Sequence, residues 1–170
     1  MRLLLKVLAL VVLAWAAAVA IVFALDHGGR PVHADAVVVL SGSSTRLPVG
    51  LRLVREGYAP LLLVSTGGRS RLERRVCGKP SVHVRCFAAV PYSTRGEAET
   101  IGRLARRLHL ARLDVVTSQF HVFRATFLIR RCYHGKLRMV GAAQEWWKMP
   151  WFAFTETVKL VYDLTFFRAC

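Results

Sequence analysis

Four short apolar runs and one alternating run divide the chain at intervals that leave room for one helix between neighbours: Ala36–Leu40, Leu61–Val64, Val82–Ala88, Leu113–Thr117 and Leu137–Ala142. Continuous apolar runs this short fit strands covered on both faces, as in parallel sheets. The stretches between them carry apolar residues at helical spacing. Leu47, Leu51 and Val54 stand at i, i+4 and i+7 before Gly57, and Pro48 suits a first helical turn. Ala98, Ile101, Ala105 and Leu108 make a second such face, and a further helix is expected from about Gln119 to Arg131. Phe154, Val158, Val161 and Leu164 predict a last one, from about Phe154 to Phe167, packed on the sheet with Trp151 and Phe154 as anchors. Arg69–Pro80 is charged and irregular and reads as a loop. Strands alternating with amphipathic helices predict an α/β fold, a Rossmann-like parallel sheet of about five strands with helices on both faces.

The N-terminus adds a different element. Val7–Leu25 runs nineteen residues without a charge, preceded by Arg2 and Lys6. A helix of that length spans roughly 28 Å, close to the hydrocarbon thickness of a bilayer. Two A-x-A sites, at Ala16–Ala18 and Ala18–Ala20, would suit signal cleavage, but they fall inside the run, and signal cores are usually about 7–15 residues. The expectation is an uncleaved transmembrane helix over residues 1–25, a linker over 26–33 and one domain over 34–170. The basic flank places the N-terminus inside the plasma membrane and the domain on the extracytoplasmic side.

That topology gives the four cysteines a role. None forms C-x-x-C and no histidine stands at zinc spacing, so no metal site is expected. Outside the cytoplasm an even count reads as two disulfides. Of three connectivities, Cys77–Cys86 with Cys132–Cys170 is the expected one, worth about 2.7 and about 4 kcal/mol on a chain-entropy model. The net charge of +15 would ordinarily point to nucleic acid. Here the basic residues are scattered, with no continuous stripe and no interleaved aromatics. Anionic headgroups or wall polymers are the expected neighbours, and no nucleic-acid partner. Trp146, Trp147, Met149, Trp151 and Phe152 form an aromatic cluster that would suit either helix packing or a membrane interface.

Four segments rich in serine, threonine, glycine and arginine each follow an apolar strand: Ser41–Arg46, Ser65–Gly68, Ser93–Glu97 and Ser118–Arg124. In a parallel sheet they collect at one edge, where helix N-termini favour anions. Three stretches carry a resemblance: ADAVVVLSGSSTRLPVGLRLVREGYAPLLLVSTGG, STRGEAETIGRLARRL and DVVTSQFHVFRATFLIRRCY. In this order they resemble the YdcF-like family of envelope-associated proteins, which includes SanA and ElyC, and within it the branch of high-GC Gram-positive bacteria. The resemblance implies a Rossmann-like domain on a membrane, an envelope role in wall-precursor or carrier-lipid homeostasis, and, in that branch, cysteines compatible with the pairing above. Two departures stand out. The usual glycine-rich turn is replaced by Ser41-Gly42-Ser43-Ser44, and an asparagine-bearing N-T-x-E-N pattern by Ser93-Thr94-Arg95-Gly96-Glu97.

Candidate ligand-binding residues are Gly42, Ser43, Arg46, Gly67, Gly68, Thr94, Ser118 and Arg124. A guanidinium at Arg46 or Arg124 can clamp a phosphate with two parallel bonds, and glycines bring backbone N–H groups close to a ligand. Arg124 would equally serve as a structural bridge to Glu97, and Ser118 as a helix N-cap. His121 and Glu97 are the catalytic candidates, as acid or base near neutral pH, although T-x-x-E at Thr94–Glu97 is also the form of a capping box. No nucleophile elbow, Walker loop or dinucleotide fingerprint occurs. The expected ligand is an anionic small molecule or lipid-linked phosphate, with hydrolysis or transfer at a phosphate ester as the chemistry. A non-catalytic sensor or scaffold using the same pocket is the alternative. The residues name no cofactor.

Overall fold

The computed structural model describes residues 2–25, 28–67, 70–79, 83–145, 147, 149–166 and 170. Five parallel strands form one sheet: β1 (Ala36–Val39), β2 (Leu61–Ser65), β3 (Val84–Phe87), β4 (Arg112–Ser118) and β5 (Lys136–Ala142), in the order β3-β2-β1-β4-β5. This is the Rossmann-like α/β sheet expected. β1 lies at the centre, fully buried, because Val37 and Val39 face one layer of helices while Ala36 and Val38 face the other. Val82 lies outside the described residues.

Helices α2 (Arg46–Arg55) and α3 (Arg71–Cys77) cover the face of Val37, Val39, Leu62 and Val64. Helices α4 (Thr94–Arg107) and α5 (Val122–Cys132) cover the opposite face, where Ile101, Ala105, Leu128 and Ile129 pack on Val38, Leu63 and Val115. A 3-10 turn, Gln119–His121, leads into α5. Two helices lie outside these layers, α1 (Arg2–Leu25) and α6 (Met149–Phe166). Both disulfides form as expected. Cys77–Cys86 ties the end of α3 to β3, and Cys132–Cys170 ties the end of α5 to Cys170, with Cα separations of 5.8 and 5.1 Å.

Several sequence expectations are corrected. The stretch read as a loop contains α3: Ser70 accepts the Glu73 N–H, and Leu72 and Val76 pack against the core, a short amphipathic turn hidden among charged neighbours. In α2 the packed positions are Leu47, Gly50 and Leu53, with Leu51 and Val54 only half-buried. α6 is inverted relative to its expected orientation. Trp151, Phe154, Val158, Val161 and Leu164 are 66%, 50%, 53%, 58% and 53% exposed, whereas Ala153, Glu156 and Asp163 are buried. Its polar side turns inward because Arg124 and His121 wait there to be paired.

The N-terminal run expected to span a membrane is helical, within α1. Among the described residues, however, no helix is long and apolar enough to cross a membrane.

One buried carboxyl lies away from the loops. Asp114 has no exposed surface, and its Oδ2 accepts the Val32 N–H at 2.9 Å. Burial raises this carboxyl above its ordinary value, against the opposing effects of that bond and of Arg138 and His33. The unfolded chain ionises at the ordinary value, about 3.9, and the folded chain only above it, so stability falls as pH climbs through that window. Asp114→Asn is therefore expected to unfold at the parent's urea concentration near pH ~3.5 and at a higher one above pH ~5. Identical midpoints across the range would refute the burial argument.

Candidate functional site

The order β3-β2-β1-β4-β5 reverses direction between β1 and β4, and in open α/β sheets ligands sit beyond the strand ends at such a crevice. A cavity of about 720 Å³ opens there. Every strand delivers a loop to this rim because all five run the same way. After β1 come Gly42 and Ser43 and, opening α2, Arg46; the first turn of α4 brings Thr94 and Glu97; the turn and helix after β4 bring His121 and Arg124. Seven of the ten predicted binding and catalytic residues thus line one space. Ser118 lies just behind it, fully buried. Gly67 lines an adjoining hollow of about 330 Å³ that shares Ser41, Gly42 and Ser43 with the cavity. Gly68 lies outside the described residues.

Arg46 opens α2 and points back beneath its own loop. Its Nε donates to Ser118 Oγ at 3.0 Å, and its Nη1 donates to the carbonyls of Leu40 and Ser41. Burial draws it below its ordinary value, while Glu97 and Glu156 oppose that effect; a guanidinium stays charged regardless. Ser118, expected to cap the following turn, makes no cap bond and instead accepts from Arg46 and from Gln144 Nε2. Gly42 makes the loop possible: its φ of +115° is a conformation that side chains other than glycine rarely adopt.

Helix α4 begins one residue earlier than a capping box at Thr94 would require. Ser93 is the N-cap and accepts the Gly96 N–H at 3.2 Å. Glu97 therefore does not close the helix start. It crosses to β1's loop, where its Oε1 accepts the Ser41 N–H at 2.7 Å. Gly96 is needed for this turn to lie under the preceding loop, since a Cβ there would collide with the Pro91 carbonyl.

His121 stands at the centre. It is buried, with Nδ1 2.6 Å from Glu156 Oε2 and Nε2 3.3 Å from Thr94 Oγ1. Burial pushes the imidazole below its ordinary value; the bond to Glu156 opposes this, and Arg124 and Arg46 add to it. A neutral imidazole beside a carboxylate that can only accept carries its hydrogen on Nδ1, which leaves Nε2 as the acceptor facing Thr94. Arg124, expected as an anion ligand or a bridge to Glu97, bridges to α6 instead. Its Nε donates to Glu156 at 2.7 Å, Nη1 to Asp163 at 3.0 Å and Nη2 to Thr94 Oγ1 at 3.2 Å. Burial alone would raise Glu156, but the bonds from His121 and Arg124 outweigh it and hold its carboxyl well below the ordinary range.

The result is a hydroxyl–imidazole–carboxylate chain, Thr94–His121–Glu156, the arrangement by which a hydroxyl can be relieved of its proton. Its third member was not singled out from sequence, nor were Asp163, Lys159 and Gln144. Glu156 and Asp163 lie seven apart, two turns of one helix, as the two acidic residues of α6; that pair was the available signal. Gln144 has no sequence mark, yet its Nε2 approaches Ser43 Oγ, Thr45 Oγ1 and Ser118 Oγ within 2.6–3.2 Å. The charges of the lining balance. Arg46, Arg124 and Lys159 are matched by Glu97, Glu156 and Asp163 in the lining, so recognition there depends on directed donors rather than a surplus field. Among the described residues no group of three or more metal-ligating side chains occurs. Compared with known proteins, the chain matches no family model, no curated protein and no solved structure.

Proposed function

We propose that the chain is a membrane-anchored, extracytoplasmic YdcF-like protein that binds a phosphate-bearing cell-envelope metabolite in this cavity and hydrolyses or transfers it, in support of envelope and peptidoglycan homeostasis. The observation that carries the reading is the placement of His121, with one nitrogen on Glu156 and the other on Thr94, beside Arg124 at the crevice. His121 Nε2 takes a proton from the attacking hydroxyl as its oxygen bonds to phosphorus, the bond to the leaving oxygen breaks, and the imidazolium returns the proton to that leaving oxygen, while Arg124 and Lys159 offset charge on the phosphoryl oxygens. Glu97 positions the Ser41 loop, and Arg46 the loop after β4. The three ordered motifs, the two disulfides and the uncharged run Val7–Leu25 support the envelope setting; disulfides persist in oxidising compartments, and that run, nineteen residues in sequence, would serve as the single-pass anchor with the N-terminus inside.

One observation favours binding without turnover. Arg46 is spent on Ser118 and two carbonyls and Arg124 on two carboxylates, as in a rigid receptor pocket. Purified full-length protein incubated with lipid-linked and nucleotide-linked wall precursors separates the two readings. A ligand at a hundredfold excess over Kd should stabilise the fold by about 2.7 kcal/mol, or roughly 5–10 °C in Tm. Such a shift with product formed is the expected result. A saturable shift without product would convert the reading to a sensor, and no shift with any precursor would remove both.

A further inference from the structure

Helix α6 keeps its polar side for the domain and shows its apolar side outward, the reverse of a helix on a soluble domain. Glu156 and Asp163 turn in to Arg124, while Trp151, Phe154, Val158, Val161 and Leu164 are all at least half exposed. The outward surface continues onto α1. Trp15 meets Phe154 edge-on with ring centroids 6.2 Å apart, and the apolar side chains of α1 from Leu3 to Leu13 are exposed as well.

We propose that the outward face of α6 is seated in the lipid bilayer, as a second membrane contact beside α1. The inference rests on the reading of α1 as the anchor. Three observations select lipid over a second copy of the chain. The occupant must cover α1 and α6 together, and a bilayer does so without needing a matched shape. Trp147, Trp151 and Tyr162, all exposed on or beside α6, are the residue types that collect at the membrane–water boundary. The net charge of +15 draws the chain towards anionic headgroups and sets two copies against each other. Trp151 and Tyr162 also line the candidate cavity, so its rim borders the lipid.

Lipid contact is read by tryptophan quenching in the full-length chain, reconstituted in phosphatidylcholine–phosphatidylglycerol vesicles with or without brominated acyl chains. Three of the four tryptophans are replaced by phenylalanine to leave either Trp151 or Trp15 alone. The expected result is at least a twofold loss of emission for both in brominated vesicles, with little quenching of Trp151 by aqueous iodide. Quenching of Trp15 but not Trp151, with Trp151 open to iodide, would overturn the proposal and leave the anchor standing. Trp151 shielded from both quenchers would overturn it in favour of a protein partner. If neither tryptophan senses the lipid, the anchor falls too. In the Trp151-only chain, Val158→Lys with Val161→Lys should admit iodide; unchanged lipid quenching there would also overturn the proposal, because this face would not be what holds Trp151 in the membrane.

Discussion

Glu156→Ala should destabilise the protein by about 3–5 kcal/mol, the usual cost of removing one partner from a buried ion pair. The carboxylate is shared by His121 at 2.6 Å and Arg124 at 2.7 Å, and all three side chains are about nine-tenths buried. Its loss leaves a guanidinium desolvated with only Asp163 and Thr94 to answer it. Against a total stability of about 5–15 kcal/mol, that is a large share. Urea unfolding measures it, and Glu156→Gln, which keeps an acceptor, should lose less. A cost under ~1 kcal/mol, the figure for exposed pairs, would show that the network is wetted and that α6 does not sit as described. The same groups set the acid limit. Burial makes His121 take up a proton less readily in the fold than in the unfolded chain, where it does so near its ordinary value, about 6.5, so stability falls as pH drops below that value. Glu156 adds to the loss lower down: its contribution is present above the ordinary carboxylate value and vanishes as pH falls towards its depressed one.

The second large effect concerns turnover. With a wall precursor that the full-length protein converts, His121→Ala should lower kcat/KM by about 10²–10⁴, the range for a lost general base. Thr94 then separates two mechanisms. If its hydroxyl attacks, Thr94→Ser keeps most activity and Thr94→Val loses as much as the histidine variant. If Thr94 only steers the imidazole while water attacks, Thr94→Val loses far less. Folded His121→Ala protein with activity within about threefold of the parent would remove the histidine from the chemistry.

The strands and their common rim were legible because their signals are local. Apolar runs such as Ala36–Val39 have few alternatives to a buried strand, and a parallel sheet puts every following loop at one edge. Gly42, Ser43, Arg46, Thr94, Glu97, His121 and Arg124 came together for that reason. What failed depended on partners distant in sequence. α6 was expected with its apolar side inward, since periodicity marks a face but not which way it turns. The decision came from Arg124, thirty-two residues before Glu156. Glu97 and Ser118 each offered a nearby capping bond and chose Ser41 and Arg46 instead, 56 and 72 residues away. α3 was missed because Leu72 and Val76, its only packed side chains apart from Cys77, are separated by three charged residues.

The bond between Cys132 and Cys170 acquires a further meaning from what lies between them. α6 carries Glu156 and Asp163, and the peptide after β5 tethers it at one end; the sulfur bridge closes the other, across 38 residues. Chemical reductants would leave α6 held by its peptide link and by the pairing of Glu156 and Asp163 with Arg124 and His121, so handling the protein with thiols present removes one of the fastenings of that wall of the histidine pocket.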